Sequence, residues 1–310
     1  MSTKEIDISI ILLNYNTGNY SVDCINSILK KTSEKLSFEI IVIDNASEFD
    51  DFLKVKTYIE SLNNNKISIF RSKINLGFGA GNMFGVQFAN GKYYAFVNND
   101  TIFLNDCLSR CFQFMETDDT IAVCGPQIFD ENKKRIVSFD HFATLGREIF
   151  GSKVLELLYP SKKPDRKKIY KNPLKVNYIN GSFIFIRGVA FNKVGGFDTN
   201  IFLYFEESDL CYRLLKNGFS TYFLPEAHYI HFEGKSTANN ILKKIELKTS
   251  LFYVTKKNYG YFSSLILKLY FIIRYFFTCF VKPKYLPLFF VLLQGLPISN
   301  SLKQRQKIIN

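Results

Sequence analysis

The sequence of 310 residues has no tryptophan, only three histidines, and six cysteines that never form a CxxC pair. Two of the histidines, His228 and His231, stand three apart in HYIHFEGKS; an extended chain sends them to opposite faces, which argues against a two-histidine metal clamp. The scattered cysteines (Cys24, Cys107, Cys111, Cys124, Cys211, Cys279) argue against a zinc site or a disulfide framework and predict free, buried thiols. MSTKEIDISI lacks the apolar core of a signal peptide, so the expected location is the cytoplasm. Acids are nearly missing from the last segment. Residues 240–310 carry 12 Lys/Arg against one acid (net +11), residues 151–239 carry 13 against 8 (net +5), and residues 1–150 carry 15 against 19 (net −4), which sum to the formal +12. Charge confined to one end, without an RNP, zinc or helix-turn-helix context, speaks against nucleic acid as a partner.

What the basic end does have is phenylalanine, leucine and isoleucine. YGYFSSLILKLYFIIRYFFTCFV (259–281) and YLPLFFVLLQGLPI (285–298) are long apolar runs, but Lys268 and Arg274 interrupt the first, and Pro287, Gln294, Gly295 and Pro297 the second. Cationic and apolar together, they are expected to lie in or on an anionic membrane surface. A helical pair packed on the core with snorkelling lysines, and a true span, are the alternatives.

With 47% hydrophobic residues the rest can bury an ordinary globular core. ISIILLN, FEIIVIDN, KISIF and YYAFV read as strands, and SVDCINSILKK, DDFLKVKTYIESL and GFGAGNMFGVQFAN as the helices between them. Repeated β-α-β units predict an α/β fold with a mostly parallel central sheet flanked by helices. A helix near residues 105–116, a strand at IAVCG and a loop-rich basic stretch at 160–175 follow. Ligands of such sheets bind beyond the carboxyl ends of the strands, which singles out Asn14, Tyr15 and Asn16, then Asp44 and Asn45, then Asn98, Asn99 and Asp100. A domain of residues 1–238 is expected, with a nucleotide half (about 1–125) and an acceptor half (126–238), followed by a helical segment, 239–310.

Three features could carry chemistry. An acid ending a buried strand, Asp100 in YYAFVNND, can hold a divalent metal whose other positions go to phosphate oxygens and water; otherwise it caps the following helix or closes a turn. NLGFGAGN lets backbone approach a phosphate or sugar, but it fails the dinucleotide fingerprint, because the third glycine position falls on Asn82 or Phe84. FEESDL places Glu206, Glu207 and Asp209 within one helical turn, where mutual repulsion raises at least one pKa, as a general base requires; the plainer reading is a solvated helix start.

ISIILLNYN, EIIVIDNAS, NLGFGAGN, FVNNDT, VGGFDTNIFLYFEESDLCYRL and HFEGKS, in this order, resemble the inverting family 2 glycosyltransferases of GT-A fold, in their bacterial rhamnosyltransferase-like branch. The resemblance covers residues 8–236. It implies donor-nucleotide contacts at Asn14, Tyr15, Asn16 and Asp44, and a loop over nucleotide and sugar at Asn75, Gly77 and Asn82. It implies the place of the Asp-x-Asp motif at Asn98-Asn99-Asp100, with Asp100 and His231 beside a Mn²⁺ or Mg²⁺ ion. The base of the implied reaction falls on Glu207, with Glu206 and Asp209 as alternates. The implied partners are a nucleotide-sugar donor and a glycan or polyprenyl-diphosphate-linked acceptor at the inner face of the cytoplasmic membrane. An inactive relative that binds sugar nucleotide or lipid-linked glycan is the alternative that Asn98 and Glu207, both departures from the family pattern, leave open.

Overall fold

The protein, described by a computed structural model over residues 5–232 and 241–309, is built on a 9-stranded sheet. The expected boundary at 238/239 and the last four residues of HFEGKS lie outside the described residues. Its first half alternates β1 (Ile8–Asn14), α1 (Gly18–Lys31), β2 (Phe38–Asp44), α2 (Phe49–Ser61), β3 (Ile67–Arg71), α3 (Gly77–Val86) and β4 (Tyr93–Asn98). These strands are mostly apolar because both sheet faces are covered. In β1, Ile8, Ile10 and Leu12 enter one core with Ile25 and Ile28 of α1, while Ile11 enters the other. The same alternation puts Tyr93, Ala95 and Val97 of β4 on one side and Tyr94 and Phe96 on the other.

The sequence continues through β5 (Thr101–Phe103), α4 (Cys107–Met115), β6 (Ile121–Phe129), β7 (Phe139–Asp140), α5 (Leu145–Phe150), α6 (Ser152–Leu158), β8 (Leu174–Val176) and β9 (Tyr178–Ile179). Then come β10 (Phe183–Arg187), α7 (Gly188–Lys193), α8 (Glu206–Lys216) and β11 (Ser220–His231). The strand order is β3-β2-β1-β4-β10-β6-β11-β5, with β8 paired to β11. Only β3, β2, β1 and β4 form the parallel block the sequence points to; β10 runs antiparallel to both β4 and β6. The reason is where β10 starts. The Ser182 carbonyl accepts the Asn98 N–H at 2.9 Å, so β10 enters the sheet from the edge at which β4 leaves it. Helices α5 and α6 lie just before the basic stretch 160–175, in residues for which the sequence points to no element. All six cysteines are free, five of them buried and Cys279 half-buried.

The last segment forms α9 (Ile241–Val281) and α10 (Leu286–Leu293). Helix α9 is broken at Gly260, whose backbone (φ 86°, ψ 172°) is not helical. Its first arm lies on the body that carries the sheet, Ser250 Oγ donating to the Leu203 carbonyl at 2.7 Å and the Asn258 carbonyl accepting from the Tyr212 hydroxyl at 3.0 Å. Its second arm folds back, and Leu267 and Phe271 pack with Leu251, Phe252, Leu288 and Leu292 in a separate apolar cluster. By length and composition α9 could cross a membrane, and only 11% of its most apolar stretch is buried.

Candidate active site

The carboxyl ends of β1, β2 and β4 meet in a cavity of about 330 Å³. Tyr15, Asn75, Gly77, Asn98, Asn99 and Asp100 line it, as do Leu13, Thr17, Asn45, Phe78, Phe202 and Leu203. Three further lining residues, Lys243, Leu302 and Gln306, come from the C-terminal segment. Asn14 and Asp44 do not open into the cavity; they are wholly buried beneath it. The Asn14 amide donates to Asp44 Oδ1 (3.1 Å), Ser47 Oγ (3.1 Å) and Asp51 Oδ2 (2.8 Å), while its oxygen accepts from Ser21 and Asn99. Arg71 Nε stands 3.1 Å from Asp44 Oδ2 and balances its charge. Asn16, at φ 54°, caps the outside of this layer by accepting from the Glu48 N–H at 2.8 Å. Asn82 is turned into its own helix, donating to the Phe78 carbonyl at 3.0 Å.

The glycine loop holds its shape through amides. Asn75 Oδ1 accepts from Asn45 Nδ2 at 3.0 Å and from the Gly77 N–H at 2.9 Å. Gly77 has φ 78°, and a Cβ there would lie 2.2 Å from the Phe202 carbonyl oxygen, so no side chain fits.

Asp100 and His231 form the polar centre. His231 Nε2 lies 3.2 Å from Asp100 Oδ1, and Asn98 Nδ2 lies 3.5 Å from the same nitrogen. Asp100 does not cap α4: that carboxylate is Asp106, which accepts from the Ser109 N–H at 3.1 Å. His228 is engaged elsewhere, its Nε2 2.8 Å from the Pro225 carbonyl. Among the described residues no three His, Cys, Asp or Glu side chains converge as a metal cluster. Two donors, however, suit an ion that keeps its remaining positions for phosphate and water. Adjacent ligand atoms about 2.1 Å from an octahedral ion sit about 3 Å apart, close to the Asp100–His231 separation.

The three acids of α8 part company. Asp209 is fully buried and neutralised, its Oδ2 2.8 Å from Arg213 Nε and 2.9 Å from Lys257 Nζ. Glu206 is buried against α3, and burial, followed by the charge of Glu207, pushes its pKa well above the carboxylate range. Glu207 is half-buried beside Gly181, and burial, with a smaller push from Asp140, raises it to about 7. The turn that launches α8 is strained: Tyr204 (φ 75°) and Phe205 (φ 70°) are both left-handed. Gly181 adjoins Ser182, which is bonded to Asn98, so a three-residue loop separates Glu207 from the Asp100 end of the cavity.

The sequence matches the description Glycosyl transferase family 2 over residues 9–195. The chain belongs to this family. Among its relatives is the rhamnosyltransferase WbbL of Escherichia coli K12, 27% identical over 192 residues, 58% of this chain and 71% of that protein. An N-acetylglucosaminyl-diphospho-decaprenol L-rhamnosyltransferase of Mycobacterium tuberculosis is 35% identical over 85 residues, 27% of this chain and 24% of that protein. Coverage of other relatives is short too, the chain spanning 19% of a Rickettsia bellii glycosyltransferase. The crystal structure of GalNAc-T7 with UDP, GalNAc and Mn²⁺ matches with a TM-score of 0.59 at 18% identity, over 82% of this chain and 48% of that one. That likeness is one of fold, and it is the GT-A fold.

Of the residues lining the cavity, the sequence did not single out Leu13, Thr17, Phe78, Phe202, Leu203, Lys243, Leu302 or Gln306. The last three carry no motif, and Lys243 is one basic residue among many.

A carboxyl with an unfolded-state pKa of 4.5 and a folded-state value of about 7 is a stability cost at high pH. The folded state loses stability as pH rises from 4.5 through about 7, by up to about 3 kcal/mol for 2.5 units. Glu207→Gln is therefore expected to match the wild type in urea unfolding near pH 5 and to exceed it near pH 8.

Proposed function

We propose that the protein transfers a sugar from a nucleoside-diphosphate donor, of the dTDP-rhamnose kind, to a hydroxyl of a glycan or polyprenyl-diphosphate-linked acceptor, with inversion, in bacterial surface polysaccharide synthesis. The observation that carries this reading is the pairing of His231 with Asp100, which lines an amide-rich cavity, with the half-buried Glu207 carboxyl beside the 180–182 loop. Relatives named as rhamnosyltransferases support the sugar and, in one case, the lipid-linked acceptor.

In this reading Asn75, Asn98 and the Gly77 turn receive the nucleotide diphosphate and its sugar, and the buried Asn14–Asp44 layer keeps that receptor rigid. Glu207, ionised, takes the proton of the acceptor hydroxyl, whose oxygen attacks the anomeric carbon from the face opposite the leaving diphosphate. One displacement inverts the configuration. Asp100 and His231 would hold a Mn²⁺ or Mg²⁺ ion, which supplies positive charge facing the diphosphate. Asp209, locked by Arg213 and Lys257, keeps α8 on the first arm of α9. Glu206, buried and held by burial and the neighbouring Glu207 well above the usual carboxylate range, has no open face toward an acceptor.

Two outcomes test the chemistry. Glu207→Gln should lower turnover by roughly 10² to 10⁴-fold while still binding nucleotide. Wild-type turnover should rise with pH through about 7, because the base works only when ionised. Separately, one of dTDP, UDP or GDP should raise the melting temperature with Mn²⁺ or Mg²⁺, and Asp100→Ala should abolish the metal-dependent part; equal shifts in both proteins would remove Asp100 from the metal site.

We also propose that the segment from Ile241 onward lies on an anionic membrane surface at the inner face of the cytoplasmic membrane. Phe262, Phe277, Phe280 and Val281 are each more than 60% exposed, and the break at Gly260 with α10 folded beneath suits a segment lying flat. In flotation with anionic liposomes the full chain should rise with the vesicles. A protein that stays in the dense fraction would count against surface binding.

A further inference from the structure

The last described residues return to the cavity, and one buried carboxylate fixes where they lie. Glu246, the only acid in residues 240–310, is 1% exposed on the first arm of α9. A buried carboxylate is costly unless its oxygens are bonded. One oxygen of Glu246 accepts from Ser301 Oγ at 3.0 Å and the other from the Leu302 N–H at 2.7 Å. Ser301, itself 3% exposed, turns its oxygen to the Lys303 N–H at 3.1 Å and so starts a short helical turn. That turn carries Leu302 and Gln306 into the cavity, where Gln306 Nε2 donates back to the Leu302 carbonyl at 2.8 Å.

Two more contacts strap the same stretch down on either side. Lys303 Nζ donates to the Thr199 carbonyl at 2.6 Å, and the Ile309 N–H to the Lys73 carbonyl at 2.8 Å, just before the Asn75–Gly77 turn. Lys243 stands one helical turn before Glu246, on the same face of α9, and lines the cavity beside Leu302. A basic residue and an amide thus line the same cavity as Asp100.

We propose that Leu302, Gln306 and Lys243 are the outer wall of the nucleotide-sugar site, and that Glu246 is the positioning residue that seats this wall through Ser301. The inference rests on the reading of the cavity as the donor site. It assigns the C-terminal segment a part in binding the nucleoside diphosphate, in addition to its apolar exposed face. Loss of the wall opens the cavity and removes contacts to the donor while leaving Glu207 and Asp100 in place, so it acts on donor binding before it acts on chemistry.

The full-length protein is titrated calorimetrically with UDP, dTDP and GDP in the presence of Mn²⁺, as wild type, Asp100→Ala, Glu246→Gln and the double variant Leu302→Ala/Gln306→Ala. Both tail variants are expected to weaken the wild type's preferred nucleotide roughly tenfold, a difference of about 1.4 kcal/mol. In transfer assays they should raise the donor KM by a similar factor, with kcat at saturating donor and the acceptor KM held. The double variant changes two half-exposed side chains, so it reports on the wall even if Glu246→Gln disturbs folding. Wild-type nucleotide affinity in a folded double variant, with binding still lost in Asp100→Ala, would overturn the wall and leave the donor site standing. Absence of nucleotide binding in the wild type would overturn both.

Discussion

The structure hangs on the side chain of Asn14. It ends β1, stands in register with Asp44 at the end of β2, and accepts from Asn99, just past the end of β4. Three adjacent parallel strands are thereby tied at one level by a single buried amide whose polar atoms all find partners. Such a network is worth more than its bonds taken singly, because an unpaired group there would bear the full cost of desolvation. Arg71 completes it from β3. The loops above can then hold left-handed residues, Asn16 and Ala46, at the strand exits. The cavity wall formed by Asn45, Asn75 and Gly77 rests on that layer.

Acid residues close in sequence obtain different chemistry from their surroundings. Asp209 gains two cations, Arg213 from its own helix and Lys257 from α9, and becomes a packing element. Glu206 and Glu207 have no such partners among the hydrogen bonds and ion pairs of the described residues, and burial raises both. The difference between them is access: Glu206 points into the core against α3, whereas Glu207 faces the Gly181 loop, where a glycine leaves room. Asp140, held by Arg147 at 2.8 Å and Arg166 at 3.0 Å, adds a further push upward on Glu207 without itself being free to move.

Segment 241–309 is bound to the rest of the protein by charge, by hydrogen bonds and by apolar contacts at the border, where Ala143, Leu145 and Phe205 join its cluster and Tyr259 packs on that of the body. The cluster built around Leu267, Phe271, Leu288 and Leu292 is distinct from the two that cover the sheet. The polar contacts that join it to the body include Lys257 to Asp198 and Asp209, Ser250 to Leu203, Tyr212 to Asn258, Lys303 to Thr199 and Ile309 to Lys73. Two of its basic residues, Lys257 and Lys303, are thus engaged by the body, and exposed apolar side chains lie on the second arm of α9 and on α10.

The order of strands and helices through β4, the glycine turn and the acid at the end of YYAFVNND were legible in the sequence, because each is set by local periodicity or by the backbone needs of one turn. The family was legible for the same reason: its motifs are strand ends and turns, and these keep their spacing. Which polar residue opens into the cavity was decided only in three dimensions. Asn14 and Asp44 share the strand-end pattern of Asn98 and Asp100, yet the first two are consumed by one another and the last two face the cavity. The antiparallel insertion of β10 and the sorting of the α8 acids likewise depend on partners far along the chain; Lys257 reaches Asp209 across 48 residues. The return of residues 301–306 to the cavity hangs on a carboxylate 55 positions before Ser301, a contact with no local pattern, since neither residue's neighbours announce the other.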